Sequence, residues 1–254
     1  MSEVVFVGTS DAFGAGGRRQ SAVFARGERG GMLIDCGATT NTGLSALEIP
    51  RDEVDVILVS HFHGDHFGGI PGFLYAALYA DRRRHALEIA GPPEIEARVH
   101  ALANAMGHHL GNREWSFPIR YREIRPGETR EVGPATIQAF ATAHQLEAHP
   151  QGYRIQLGAE SIAYSGDTGW FEALPRAVAG SGLFICECPR MRGARFPSLA
   201  RGAARASRRS RLRSPDPDPP RRDDDRSARS DRARDRRRRI RRQALSRPSS
   251  HSTP

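Results

Sequence analysis

The amino-acid sequence predicts an α/β protein in which helices cover sheets of mixed strand direction. Short apolar runs that end in Gly, Pro, Ser or Asp alternate with longer segments of helical spacing, up to a change of composition near residue 188. Several apolar runs follow one another with only a short turn between them, which is typical of hairpins. Sheets joined partly by hairpins and partly by helices are not purely parallel. The 254 residues leave room for one large domain of this class.

The predicted strands are short, and several are continuous apolar runs of the kind found in buried strands. In chain order they are Val4–Val7, Ala22–Ala25, Met32–Ile34, Val54–Val59, Leu87–Ala90, Ile119–Ile124, Ala135–Ala139, Tyr153–Leu157, Ser161–Tyr164 and Leu183–Cys186. The predicted helices are Ile70–Tyr79 and Glu94–Met106. Pro71 is tolerated in the first turn of the first helix, and apolar residues recur at helical spacing in the second.

Charge and composition divide the chain into two parts. Residues 201–254 contain 19 Arg and 7 Asp, a net charge of +12, and no aromatic residue. The whole chain has 38 basic and 29 acidic residues, which leaves 19 basic and 22 acidic residues in positions 1–200. A basic surface that would indicate nucleic acid is therefore confined to the tail. We expect a folded domain at residues 1–188 and an Arg/Asp/Ser/Pro-rich tail at 189–254 whose composition is typical of disorder.

Cysteine usage and hydropathy favour a soluble cytoplasmic protein. The three cysteines, Cys36, Cys186 and Cys188, do not make a disulfide framework. The N-terminal residues lack the basic segment and apolar run of a signal peptide. No window approaches the roughly 20 apolar residues of a membrane span. We therefore expect a reduced environment and no membrane partner.

The most informative stretch is His61-Phe62-His63-Gly64-Asp65-His66, directly after the buried run Val54–Val59. Three imidazoles and a carboxylate in six residues cannot all be packed as core, because every ring nitrogen and the charge would need a partner. In a loop at a strand end they can converge on cations, and His nitrogen with Asp oxygen suits zinc. The alternative is a polar loop that happens to be rich in His.

This pattern, His61-x-His63-x-Asp65-His66, resembles the signature of the metallo-β-lactamase superfamily. Several flanking segments are similar to those of the branch that contains ribonuclease Z and related phosphodiesterases. They are Phe6–Thr9, Ile34–Gly37, Gly68–Leu74, His144 with Gly152–Ile155 behind it, and Ser165–Thr168. The resemblance covers the chain from its start to about residue 188.

The resemblance implies a four-layer α/β/β/α fold with metals at one edge of the sheets. It implies that His61, His63 and His144 hold a first metal. It further implies that Asp65 and His66 hold a second, that Asp167 bridges both, and that Asp65 is catalytic. Two zinc ions are expected, with manganese or iron as alternatives. Together they would activate a water for attack on a phosphodiester, or on another ester, thioester or lactone.

The chain departs from the pattern of ribonuclease Z in three places. Cys186 precedes Glu187 where that enzyme carries a His–Glu pair, which weakens the assignment of a proton relay. The long arm that grips tRNA has no counterpart in residues 67–188, which argues against tRNA as the main substrate. The last metal ligand of the family is a His after a late strand, and here only His251 follows Asp167.

We interpret residues 189–254 as the product of a frameshift. The C-terminal part of the domain would then be missing from this chain, with the tail in its place. Codon degeneracy allows Ser214–Pro220 to be encoded so that the +1 frame gives Arg-Leu-Ile-Leu-Thr-His-Leu, a strand with the missing His. The alternative is a genuine Arg-rich arm that binds RNA, attached to an inactive hydrolase-like domain. Nucleic acid is thus a candidate partner, and a homodimer is left open.

Overall fold

The computed structural model describes residues 3–187, which form two facing β-sheets with helices packed against the first. The first sheet contains β1 (Glu3–Gly8), β2 (Ala22–Gly27), β3 (Gly30–Ile34), β4 (Val56–Leu58), β5 (Leu87–Gly91) and β6 (Ile119–Glu123), in that spatial order. Strands β1 to β3 are antiparallel neighbours, and β3 to β6 are parallel. The tail 189–254 and the candidate ligand His251 lie outside the described residues.

The second sheet has the spatial order β11-β10-β9-β8-β7. Its strands are β7 (Thr129–Val132), β8 (Ala135–Ala141), β9 (Gln151–Leu157), β10 (Glu160–Tyr164) and β11 (Leu183–Ile185). All neighbours are antiparallel except β10 and β11. The helices are α1 (Thr40–Ala46), α2 (Gly64–Phe67), α3 (Ile70–Tyr79), α4 (Ile95–Ala105) and α5 (Leu174–Val178). Short 3₁₀ turns lie at Ala15–Gly17, Arg51–Glu53, Leu110–Asn112 and Leu146–Ala148.

Every predicted strand and both predicted helices are confirmed, with shifts of a residue or two at their ends. The predictions omit β7 and the helices α1, α2 and α5. Strand β7 has three exposed residues out of four, so it carries no apolar signal. Helix α1 buries Thr40, Gly43 and Leu44, which gives no amphipathic periodicity.

The first sheet is buried on both faces, which explains its continuous apolar runs. Ile57 and Val59 pack with α1, α3 and α4 in one core. Val56 and Leu58 alternate with them along β4 and join a second core against Ile155 and the rest of the second sheet. The expected α/β architecture of two stacked sheets is therefore confirmed. Within residues 3–187 no helix is long and apolar enough to cross a bilayer.

Strand direction brings four strand ends to one place. Strands β3 and β4 are parallel, with Ile34 opposite Leu58, so the loops that follow them leave the first sheet side by side. Strands β8 and β10 are both antiparallel to β9, so they share a direction and also end together. The segments after β4, β8 and β10 carry the predicted site residues.

Candidate metal centre

All six predicted ligands converge between the two sheets' loops. His61 and His63 follow β4, and Asp65 and His66 lie in the short helix α2. His144 follows β8 and Asp167 follows β10. Their ligand atoms form two groups, each within 4.8 Å: His61, His63, His144 and Asp167 in the first, and Asp65, His66 and Asp167 in the second. The family resemblance implies the same grouping, and the role of these residues as metal ligands stays a prediction.

The first group is a triangle of imidazole nitrogens. His61 Nε2 and His63 Nδ1 are 3.1 Å apart, and His144 Nε2 lies 3.1 Å from the same His63 nitrogen. A tetrahedral zinc with bonds of about 2.0–2.1 Å separates its ligand atoms by roughly 3.4 Å. The three nitrogens therefore fit one face of such a site. Hydrogen bonding among three neutral imidazoles does not by itself explain why all three nitrogens point to one place.

The second group pairs one imidazole with two carboxylates. His66 Nε2 lies 3.1 Å from Asp167 Oδ1 and 3.5 Å from Asp65 Oδ2. The other oxygen of Asp167, Oδ2, points to the first group and lies 3.9 Å from His61 Nε2. Asp167 therefore presents one oxygen to each group, as a bridging carboxylate does. The donor set of nitrogen and oxygen atoms fits zinc, manganese or iron.

A glycine allows Asp167 to reach this position. Gly166 has φ +57°, and a Cβ on it would lie 2.9 Å from the Cβ of Ser60. A side chain here would be strained and would push the loop after β10 away from the loop after β4. The close approach of these two loops is what places Asp167 between the two groups.

Asp35, directly after β3, orients two of the candidate ligands, His66 and His61. It is fully buried, and its Oδ2 accepts hydrogen bonds from His66 Nδ1 at 2.7 Å and from Ser60 Oγ at 2.9 Å. Tyr164 donates to the same oxygen, and the Ser60 backbone N–H donates to Oδ1 at 2.7 Å. Ser60 Oγ also lies 3.0 Å from His61 Nδ1. Asp35 thus fixes the ring of His66 directly, with Nε2 turned towards Asp65 and Asp167, and acts on the ring of His61 through Ser60.

Asp35 holds an uncommon backbone conformation, with φ +59°. Asp tolerates the left-handed region better than most residues, but the conformation still costs of order 1 kcal/mol or more. Four hydrogen bonds to its carboxylate and one from its own N–H to the Leu58 carbonyl keep it in place. Such over-determined strain is typical of a functional site.

The two groups differ in proton content. Burial and the neighbouring His66 charge lower the pKa of His61 to about 4, and burial also lowers the pKa of His144. Both imidazoles are therefore neutral near pH 7 and ready to donate a lone pair. Burial would also lower the pKa of His66, but the carboxylates around it, Asp35 first, outweigh burial and raise it to about 12. His66 carries a proton that a cation would have to displace.

Both site carboxylates are ionised. Burial acts to raise the pKa of Asp65 and of Asp167, but hydrogen bonding and attraction to His66 hold each below its usual range. A negative charge at both positions supports cation binding. It also leaves Asp65 able to accept a proton.

Glu187 ends at the same edge, after β11. Burial and repulsion from Asp167 raise the pKa of Glu187, while a hydrogen bond from the Thr168 backbone N–H acts in the opposite direction. Cys186 precedes it, so the His–Glu pair of ribonuclease Z is absent from this position.

Sequence reasoning missed three supporting residues. In the sequence Asp35 appears only as part of the segment Ile34–Gly37, and nothing marks Ser60. Gln145 is exposed, and its Oε1 lies 3.2 Å from His63 Nε2, which favours the tautomer that leaves Nδ1 free. The signal for Asp35 was an acidic residue directly after a buried strand. No sequence signal marks Gln145, because its partner is 82 positions away.

Comparison with known proteins gives consistent matches. A family model described as "Anti-Pycsar protein Apyc1" matches residues 2–186. The chain is 34% identical to ribonuclease Z from Halorubrum lacusprofundi over 154 residues, which is 60% of this chain and 47% of that protein. It spans about half the length of the curated relatives it matches.

Two solved structures share the fold. The metallo-β-lactamase fold protein YhfI from Bacillus subtilis matches with a TM-score of 0.60 at 20% identity, over 74% of this chain and 70% of that one. The short form of human tRNase Z matches with a TM-score of 0.58 at 23% identity, over 72% and 76%. The described residues therefore have the metallo-β-lactamase fold that the sequence predicted.

Proposed function

We propose that this protein is a metal-dependent phosphodiester hydrolase. The chain belongs to the family described as Anti-Pycsar protein Apyc1, in the ribonuclease Z-like branch of the metallo-β-lactamase superfamily. The observation that carries the proposal is Asp167, whose two oxygens face two separate groups of ligand atoms. A shared carboxylate is what a two-metal site needs, because it reduces the repulsion between neighbouring cations.

The ligands are assigned from the two groups of atoms. His61, His63, His144 and Asp167 would hold one ion, and Asp65, His66 and Asp167 a second. Bound ions at such a site supply Lewis-acid polarisation of a phosphoryl oxygen and a water of lowered pKa. Zinc is our choice of metal, and manganese and iron are the alternatives.

The chain's own residues position the reaction. Asp35 and Ser60 fix the rings of His66 and His61, and Gln145 fixes that of His63. Asp65, held ionised by His66, can accept the proton of an attacking water. Since these side chains are anchored on strand ends of two packed sheets, little reorganisation accompanies the reaction.

The substrate class rests on the relatives. The protein from Halorubrum lacusprofundi is named ribonuclease Z, the name of an RNA-cleaving enzyme. This supports a phosphodiester over a lactone or thioester. Within residues 67–187 no insertion extends from the fold as an arm for tRNA, so we favour a small or cyclic nucleotide, or an RNA 3′ end, over tRNA.

A substrate panel tests the proposal. Zinc-loaded full-length protein is assayed on bis-p-nitrophenyl phosphate, a cyclic nucleotide, a short RNA, an acyl lactone and a thioester, with Asp167→Asn as the inactive control. We expect turnover of at least one phosphodiester and none of it in the variant. Hydrolysis of the lactone or thioester alone would overturn the substrate class, and turnover by Asp167→Asn would overturn the site.

The tail is part of the proposal. The family match ends at residue 186, just before the composition changes. We propose that residues 189–254 are a frameshifted reading and that the second group consequently lacks its last His ligand. Resequencing the gene around codons 188–196 tests this, because a confirmed sequence whose +1 frame encodes no Thr-His strand would contradict it. The cytoplasmic location and the homodimer stay predictions.

A further inference from the structure

Several large apolar side chains are exposed on the surface, and some of them lie in loops that follow the candidate ligands. Among the described residues five large apolar side chains are exposed: Phe13, Tyr79, Met106, Leu146 and Trp170. Three of them lie in loops at the strand ends near the candidate ligands: Leu146 and Trp170 closely follow His144 and Asp167, and Phe13 lies in the loop between β1 and β2. The exposed fractions of Phe13, Leu146 and Trp170 are 94%, 80% and 54%. Apolar side chains exposed beside a polar site can contact a ligand that is itself partly apolar.

Trp170 is placed by the loop that carries Asp167. The Gly169 N–H donates to the Ala143 carbonyl at 2.8 Å, and the Ala143 N–H donates to Thr168 Oγ1 at 3.0 Å. These bonds tie the segment after β10 to the segment that carries His144. Trp170 therefore stands three residues from the bridging carboxylate and beside a ligand of the first group.

Leu146 belongs to the same rim of the site. It follows Gln145, whose side chain contacts His63. The turn Leu146–Ala148 is held against the metal-binding loop, because the Phe62 N–H donates to the Ala148 carbonyl at 2.9 Å. Leu146 is thus fixed in position while its side chain remains exposed.

Phe13 lies in the loop between β1 and β2. Asp11 Oδ1 accepts hydrogen bonds from the N–H groups of Phe13 and Ala15, which folds the loop tightly. Gln20 links this loop to the centre: its Nε2 donates to the Ala12 carbonyl, and its Cβ lies 2.8 Å from the position that a Cβ on Gly37 would occupy. That same position is 2.3 Å from the Asp65 carbonyl oxygen.

We propose that Phe13, Leu146 and Trp170 form a nucleobase-binding rim, with Trp170 as the main stacking surface. The ligand is a nucleoside phosphodiester whose phosphate lies at the metal centre and whose base leaves it towards the rim. This inference rests on the proposed function. Base–aromatic stacking tolerates every base, because each has a π-face, so the rim selects nucleosides over simple phosphodiesters rather than one base over another.

A binding experiment that needs no turnover tests the rim. The chain has two tryptophans, so Trp115→Phe leaves Trp170 as the only one. Zinc-loaded Trp115→Phe protein is titrated with adenosine 5′-monophosphate and, as the matched control, ribose 5-phosphate. We expect saturable quenching of Trp170 fluorescence by the nucleotide and none by the sugar phosphate. No quenching by the nucleotide, or equal quenching by both, would overturn the rim. If this variant does not fold, the difference signal between the parent and Trp170→Phe gives the same readout.

A kinetic experiment separates the rim from the metal centre. Thymidine 5′-p-nitrophenyl phosphate and methyl p-nitrophenyl phosphate release the same leaving group, but only the first has a base. For Trp170→Ala we expect kcat/KM on the thymidine ester to fall about 10-fold or more, with Trp170→Phe recovering most of it and the methyl ester unaffected. Tyr79→Ala, an exposed aromatic on α3, should change neither substrate.

The outcomes are distinguishable. Equal losses on both esters would overturn the rim but leave the hydrolase proposal standing. If the parent protein hydrolyses neither ester, the hydrolase proposal is contradicted. The fluorescence titration would still decide whether the rim binds a base. A parent dimer that becomes monomeric on Trp170→Ser would show that a second copy covers this surface, and would overturn the rim.

Discussion

Replacing Asp35 by Asn should weaken metal binding and should also lower the stability of the fold by a comparable amount. The Asn side chain keeps the shape but offers one oxygen. With that oxygen at the Oδ2 position, it keeps the bonds from Ser60 Oγ, His66 and Tyr164 and loses the bond from the Ser60 N–H. One buried donor left unpaired costs about 1–3 kcal/mol of folding stability.

The loss in metal affinity comes from the missing charge behind the ligands. Removing such an outer carboxylate typically costs about 10–100-fold in metal affinity, which corresponds to about 1.4–2.8 kcal/mol. His66 is bonded directly to Asp35, whereas His61 is reached only through Ser60. The second group should therefore lose more affinity than the first.

The assay compares zinc affinity and unfolding in three proteins. Zinc competition with a chromophoric chelator and urea unfolding of metal-free protein are measured for the parent, Asp35→Asn and Asp55→Asn. Asp55 is a matched control, because its Oδ2 accepts one backbone hydrogen bond, from the Gly31 N–H at 3.0 Å, at the opposite end of β4. Asp55→Asn can keep its one bond through the remaining oxygen and should lose little stability and no zinc affinity, whereas Asp35→Asn should lose both. Parental zinc affinity in Asp35→Asn would refute the positioning role.

Three further predictions concern the ligands, their protons and the tail. His63→Ala or Asp65→Ala should lower zinc content in elemental mass spectrometry and abolish turnover, whereas exposed His109→Ala should do neither; equal zinc in His63→Ala and the parent would contradict the ligand assignment. Because the pKa of His66 is raised to about 12 in the metal-free protein, zinc at the second group should displace about one proton there and bind more tightly as pH rises. Calorimetry in two buffers of different ionisation enthalpy measures that proton, and a second binding step with no buffer dependence would argue against it. Deleting residues 189–254 should remove any salt-sensitive RNA affinity if the tail is an RNA-binding arm; filter binding at two salt concentrations decides this, and unchanged affinity would dispose of the arm.

The strands could be predicted from the sequence because their signals are local, and so could the candidate ligands that directly follow the run Val54–Val59. His144 and Asp167 are single residues after strands, and only the family resemblance marks them as candidate ligands. Helix α1 could not be predicted, since it buries Thr40 and Gly43 rather than an apolar stripe.

The support of the ligands could not be predicted for a different reason. The bond between Asp35 and His66 joins residues 31 positions apart, and the bond between Gln145 and His63 joins residues 82 apart. The first exists because β3 and β4 are parallel neighbours in one sheet, and the second because the two sheets bring the ends of β4 and β8 together. The sequence alone does not indicate that these residues, which are far apart in the chain, lie close together in space.

The most direct test of the two-group centre is the position of bound zinc. Crystals of the full chain are soaked at saturating zinc, and anomalous scattering is recorded above and below the zinc edge. We predict a strong peak among His61, His63 and His144, and a second peak beside His66, with Asp167 between them. The second should disappear first as zinc is lowered, because this group has fewer protein ligands among the described residues. Absence of a peak at the three histidines at saturating zinc would contradict the account.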